Sequence, residues 1–189
     1  MLPVSALRHK TLADYQGVRS VTASSSVSYA DAVRVSDPSG QPFAAVDGNA
    51  YTAWQSSSFH GPQGQWLDVS LDTPRQVDEV TLRLMDDRRV GWPVTRVRIT
   101  TDAGSVEHEV SNDEPVARLP VAAGITGNVR VTIHDVAANR QTGNVGIAEL
   151  AIPGVTPRRA LRVPGDVEPR EDQPPAFSFS RGRCRATPA

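Results

Sequence analysis

The 189-residue chain has a single cysteine, Cys184, in a polar C-terminal stretch, so an intrachain disulfide and a cysteine metal cluster are both excluded. Lysine is nearly missing as well: Lys10 is the only one, and every other basic residue is arginine. With abundant Ala, Val, Gly and Pro, that bias is what GC-rich codons produce and points to a high-GC bacterium such as an actinomycete. No apolar run approaches the roughly 20 residues needed to span a bilayer. The start, MLPVSALRHKTLADYQG, carries charges and no uninterrupted apolar core, so it does not read as a signal peptide. A protein of this kind acting outside the cytoplasm is expected to be a piece of a longer precursor.

Catalytic signatures are also missing. The four histidines, His9, His60, His108 and His134, form no HExxH or other paired-ligand spacing. There is no GxSxG elbow, no GxGxxG and no GxxxxGK[ST]. Adjacent carboxylates occur at Asp78-Glu79, Asp86-Asp87 and Asp113-Glu114, mostly beside turns, where solvated charge is their ordinary role. A formal net charge of -1 provides no general attraction to nucleic acid or to anionic membrane. The remaining picture, 39% hydrophobic and 22% charged, is that of a globular chain.

What is present is period-2 alternation, the mark of half-buried strands, from about Val18 to Pro153. QWLDVSL sets Leu67, Val69 and Leu71 against Asp68 and Ser70, and EVTLRL sets Val80, Leu82 and Leu84 against Thr81 and Arg83. VTRVRITT, NVRVTIHD and VGIAELAI continue the series, separated by the turn-rich SDPSGQP, HGPQGQ, DDRRVGWP, TDAGS and AANRQTGN. Helical character is confined to the first fifteen residues. Short strands without interleaved helices predict an all-β, antiparallel sandwich or jelly roll. The expected organisation is an N-terminal extension over 1–17, a β-sandwich over 18–154, and a Pro/Arg-rich linker or extended tail over 155–189.

The stretch AAVDGNAYTAWQSSS, residues 44–58, raises a separate question. Calcium takes six to eight oxygens at about 2.3–2.6 Å from carboxylates, carbonyls and hydroxyls. A tight coil here offers the Asp47 carboxylate, carbonyls near Ala44 and Asn49, and the Thr52 hydroxyl and carbonyl, with Gly48 free to take a positive φ. One carboxylate does not neutralise a divalent ion, so a second acid from elsewhere is required. The other reading is a plain Asx turn capped by Thr52. Spacing alone leaves both open.

AAVDGNAYTAWQSSS, then GQWLDVSLDTPRQVDEVTLRL, VTRVRITTDAG and VRVTIHDVAANRQTGNVGIAELAIPG resemble the coagulation factor five/eight type C, or discoidin-like, domain over about Val18 to Gly154. That galactose-binding-domain-like superfamily includes many bacterial carbohydrate-binding modules. The resemblance implies an eight-stranded jelly-roll sandwich with neighbouring first and last strands, and a structural Ca2+ ion. By matched position it assigns Asp47 as calcium carboxylate, Ala44 and Asn49 as carbonyl donors, Thr52 as hydroxyl and carbonyl donor, and Glu149 of GIAEL as the second acid. It places Trp54 and Trp66 in the core between the sheets.

Ligands of such domains bind at loop tips, where aromatics stack on a sugar and polar side chains bond its hydroxyls. The corresponding residues are Tyr29 and Asp31 in SYADAV, Phe59 and His60 in SSFHGPQG, Arg88, Arg89 and Trp92 in DDRRVGWP, and Asn139 and Arg140 in AANRQTG. Trp92 has two readings, stacking on a sugar or folding back over the sandwich edge beside Pro93. The terminal cysteine pair and hydrophobic spikes of the lipid-binding members are missing, so direct membrane insertion is not expected. GIAELAIPGV followed by RALRVP also resembles the segment on the C-terminal side of discoidin-like modules in large actinobacterial arabinofuranosyltransferases. The resemblances together imply a non-catalytic carbohydrate-binding module on the extracellular or cell-envelope side, tethered within a larger glycan-active enzyme. Its partner would be a cell-wall polysaccharide or oligosaccharide. The alternative is a structural or protein-interaction sandwich with no sugar site.

Overall fold

In the computed structural model the described residues are 12–28, 37–49, 51–85, 92–111, 116–137 and 143–162. Nine strands run through them: β1 (Leu12–Gln16), β2 (Val18–Ala23), β3 (Trp54–Gln55), β4 (Trp66–Leu84), β5 (Val94–Thr101), β6 (Gly104–Glu109), β7 (Ala117–Val136), β8 (Gly146–Ala151) and β9 (Arg158–Arg162). The helical content of the described residues is three short 3-10 turns, η1 (Pro38–Gly40), η2 (Pro42–Ala45) and η3 (Ser58–His60). Proline at a first position sets the φ that starts η1 and η2, and the Asp37 carboxylate caps η1 by accepting from Ser39 N–H.

The antiparallel order is β3-β8-β4-β7-β5-β6, with β2 on the other edge of β4, and β1 and β9 form a separate two-stranded sheet. β4 and β7 are long because each serves both layers of the sandwich. Trp66–Ser70 pair with Thr132–Asn128, the register breaks, and Arg75–Leu82 then pair with Thr126–Ala117. QWLDVSL and EVTLRL, which alternation alone separates, are therefore two halves of one bent strand. β2 and β5 extend the first layer, and β8 with β3 extends the second. Thr126 pins the bend: its buried hydroxyl donates to the Asn128 carbonyl at 2.6 Å and accepts Asp102 N–H at 3.0 Å.

Between the layers lie Leu67, Val69 and Leu71 of β4, Val97 and Ile99 of β5, and Val129, Val131 and Ile133 of β7. Val80 and Leu82 of the second half of β4 meet them with Ile147 and Leu150 of β8, all in one apolar cluster. Each such side chain contributes about 1.5–3 kcal/mol through burial. Trp54 is fully buried among them, and its indole N–H donates to the Ser25 carbonyl at 2.9 Å. Trp66 is a correction to the expected core pair. It is only half-buried, because alternation along β4 sends it to the face opposite Leu67 and Val69, where the Arg130 guanidinium lies 4.4 Å over its ring. Below that pair, Asp68 accepts from Arg130 Nε at 2.7 Å and from Asn128 Nδ2 at 2.9 Å.

Chain contacts divide the molecule into Tyr15–Ala160 and a second unit of Met1–Asp14 with Leu161–Ala189, of which only residues 12–14 and 161–162 are described. Within the larger unit the stretch after Pro153 contributes Arg158–Ala160 to β9.

Candidate functional site

The loop between η2 and β3 gathers oxygen. Val46 closes η2 by donating its N–H to the Phe43 carbonyl, and the chain turns through Gly48 at φ 69°. Asp47 then accepts Asn49 N–H at 2.9 Å, and Asn49 accepts Tyr51 N–H at 3.1 Å, so two successive Asx turns wind the loop. At its centre, Thr52 Oγ1 lies 2.9 and 3.0 Å from the two Asp47 carboxylate oxygens. The Asn49 carbonyl is 3.0 Å from the same hydroxyl and the Ala44 carbonyl 3.5 Å. One hydroxyl proton serves one of these acceptors at a time, so the cluster holds more lone pairs than donors.

Glu149 approaches the same loop from β8, opposite Arg83 of β4. Burial, with the Asp47 charge next in weight, pushes its carboxyl up to about 7 from the ordinary 4.5, against partial compensation by Gly48 N–H and the Arg83 charge. A cavity of about 160 Å³ opens here, lined by Asp47, Gly48, Glu149 and Thr156 among others. Two mutually repelling carboxylates, two carbonyls and a hydroxyl are a hard-oxygen set of the kind that suits calcium. The structure thus brings Ala44, Asp47, Asn49, Thr52 and Glu149 to one loop and its flank. No cluster of three or more His, Cys, Asp or Glu side chains suited to a metal forms among the described residues, and most donors here are accordingly carbonyl or hydroxyl oxygens.

Of the expected sugar contacts, Tyr29, Asp31, Arg88, Arg89, Asn139 and Arg140 lie outside the described residues. Phe59 and His60 lie on η3, whose N-terminus is capped by Ser57 Oγ accepting Phe59 N–H at 3.3 Å. Both are exposed, Phe59 at 91%. Trp92 is half-buried, with its backbone N–H donating to Asn144 C=O at 2.9 Å. Its indole lies so close to Gly143 that a Cβ there would stand 2.0 Å from Nε1. Sequence reasoning passed over Tyr51, which is 96% exposed at the tip of the oxygen-rich loop. The signal was an aromatic outside any alternating run, obscured by neighbours that read as metal donors.

Known proteins place this geometry in a family. Residues 23–171 match the model of the third carbohydrate-binding module of arabinofuranosyltransferase D. An α-(1→3)-arabinofuranosyltransferase of Mycobacterium tuberculosis is 36% identical over 134 residues, 70% of this chain and 9% of that protein. Its counterpart in Mycolicibacterium smegmatis is 30% identical over 155 residues, 77% of this chain and 11% of that protein. The chain thus spans about a tenth of the length of these relatives. The cryo-EM structure of mycobacterial arabinofuranosyltransferase AftD superposes with a TM-score of 0.72 at 25% identity, over 84% of this chain and 13% of that one. A family 32 carbohydrate-binding module of Clostridium perfringens, solved with GalNAc-β-1,3-galactose, shares the β-sandwich fold: TM-score 0.55 at 16% identity, over 70% of this chain and 93% of that one. Fold and match agree with the discoidin-like jelly roll expected from the sequence, and the chain belongs to the family of the third carbohydrate-binding module of arabinofuranosyltransferase D, a non-catalytic glycan-binding sandwich.

Proposed function

We propose that this module holds an arabinose-containing polysaccharide of the cell envelope for a larger arabinofuranosyltransferase, on the extracellular side of the membrane. The observation that carries the reading is Phe59, an aromatic ring left 91% exposed on a capped turn beside the exposed His60. A ring held in water by a fixed backbone is suited to the apolar face of a sugar, and an imidazole beside it to the hydroxyl rim. The large relatives named for arabinofuranosyl transfer supply the substrate class. The localisation rests on the envelope glycan; among the described residues no helix is long and apolar enough to cross a membrane.

A calcium ion belongs to the same reading. Asp47 and Glu149 would supply its charge balance, with Ala44, Asn49 and Thr52 as neutral oxygen donors, and the ion would fix the loop that carries Tyr51. The raised Glu149 carboxyl is consistent with this, since a cation between the two acids would offset both the burial that chiefly raises it and the Asp47 repulsion that adds to it. The role is structural.

The second reading, an interaction module without a sugar site, draws on Trp92, whose indole is packed on Gly143. Calorimetric titration of the whole chain with arabinofuranose oligosaccharides, alongside galactan and maltose oligosaccharides, separates the two. Saturable heat with the arabinosides, weakened at least several-fold by Phe59→Ala, supports glycan binding. Silence across all three sugars favours the interaction module.

A further inference from the structure

A groove of about 420 Å³, within the roughly 300–1,000 Å³ usual for small-molecule sites, has neither Phe59 nor His60 in its lining. Tyr15, Thr22, Ser28, Gln41, Phe43 and Arg159 line it, none of them among the loop residues singled out from the sequence. Its floor is the run Ser24-Ser25-Ser26, which follows β2 and is tied down from several sides. The Ser25 carbonyl accepts the Trp54 indole N–H, and Ser24 and Ser25 hydroxyls donate to Gln65 Oε1 at 2.5 and 2.7 Å. Ser26 Oγ donates to the Gly40 carbonyl at 3.0 Å, and the missing side chain of Gly40 leaves room for Val27, whose Cγ2 would stand 2.9 Å from a Cβ there. One wall is the Phe43 ring, with the Tyr15 ring 5.5 Å away at 47° and the Arg159 guanidinium 4.8 Å above it. Arg159 Nη1 also reaches Gln41 Oε1 at 3.3 Å, which fixes the cation at the rim.

One polar group in this groove has no partner in the protein. Ser28 Oγ is buried, the residue being 4% exposed, and no hydrogen bond satisfies it. A buried hydroxyl left unpaired costs stability, so its retention beside a groove is informative. No carboxylate lines the groove, which argues against a cation as occupant. Hydroxyl and amide groups, one tyrosine ring and a fixed guanidinium suit a neutral molecule with many hydroxyls that both donates and accepts. We infer that the groove between the Ser24–Ser28 run and Arg159 is a second saccharide-binding site, taking a sugar residue of the same glycan that the module binds. This rests on the carbohydrate-binding reading above.

Nuclear magnetic resonance titration of the whole chain with an arabinofuranose oligosaccharide tests it, with Ser28→Ala and Arg159→Ala measured alongside. Shifts at Ser24–Ser28 and Gln41 are expected, and each variant should bind about two- to tenfold more weakly, the value of one hydrogen bond. Ser28→Ala should melt no lower than the unaltered protein, because its hydroxyl has no partner in the free state; this separates lost binding from lost folding. Unaltered affinity in both variants, with shifts confined to Phe59, His60 and their neighbours, overturns the groove while leaving glycan binding intact. No binding by the unaltered protein overturns both.

Discussion

Thr52 shows how much one side chain settles in this molecule. Its hydroxyl stands among the Asp47 carboxylate and the Asn49 and Ala44 carbonyls, so its removal takes away the group around which the loop is wound. Thr52→Val keeps the shape and deletes the oxygen; it should weaken calcium binding at least tenfold, measured by calorimetry, consistent with the loss of a ligand from a site of six to eight. Glu149 supplies a pH dependence whose sign follows from its raised carboxyl. The folded chain holds that proton up to about pH 7 while the unfolded chain releases it near 4.5. Without calcium, stability is therefore highest below about pH 4.5 as far as this group is concerned, and falls as pH rises to about 7. Discounted for its half-exposed position, the loss is about 1–2 kcal/mol, read from urea midpoints across that range. Glu149→Gln should flatten it. On the outer face of β4, Arg130→Ala leaves Asp68 without its ion pair in a nearly buried position and should cost about 1–3 kcal/mol by the same measurement.

At the scale of elements, alternation showed each inward set correctly but not the continuity of the strands. Leu67, Val69 and Leu71 face the core as their spacing requires, and so do Val80 and Leu82. Nothing in DTPRQ tells a bend from a turn, because Pro74 and the polar residues around it suit both; pairing with β7 on either side decides for one strand. The N-terminal half of β7, ARLPVAAGIT, was illegible for a related reason, since Pro120 and small residues weaken its period while Leu119 and Val121 are still buried. Trp66 was misplaced because the resemblance assigned it to the core together with Trp54, whereas its parity with Asp68 and Ser70 along β4 puts it on the outer face. The oxygen-rich loop around Thr52 was legible as chemistry, but its convergence with Glu149 depends on β8 lying beside β4, which no local pattern encodes. Gly48 offers an element-level test. Its φ is 69° and nothing lies within 4 Å of the point a Cβ would occupy, so Gly48→Ala introduces backbone strain without a clash. It should cost about 1 kcal/mol in thermal or urea unfolding.

For the molecule as a whole, a β-sandwich of this size offers two kinds of surface, loop ends and sheet faces, and the near-zero net charge leaves recognition to shape and hydrogen bonding. That suits a glycan, which has few charges and many hydroxyls. Membership of an arabinofuranosyltransferase D module family and an exposed aromatic on a capped turn, Phe59, are both consistent with a glycan partner. Labour is divided accordingly: the core and the loop around Thr52 hold the sandwich, and exposed Phe59, His60 and Tyr51 are available to a ligand. The most direct measurement is calorimetric titration of the chain, in calcium-containing buffer, with arabinofuranose oligosaccharides, with maltose oligosaccharides as control. Saturable binding to the arabinosides alone, lost or greatly weakened in Phe59→Ala, is the predicted result; no heat with any arabinoside, from a protein that melts cooperatively, would contradict the account.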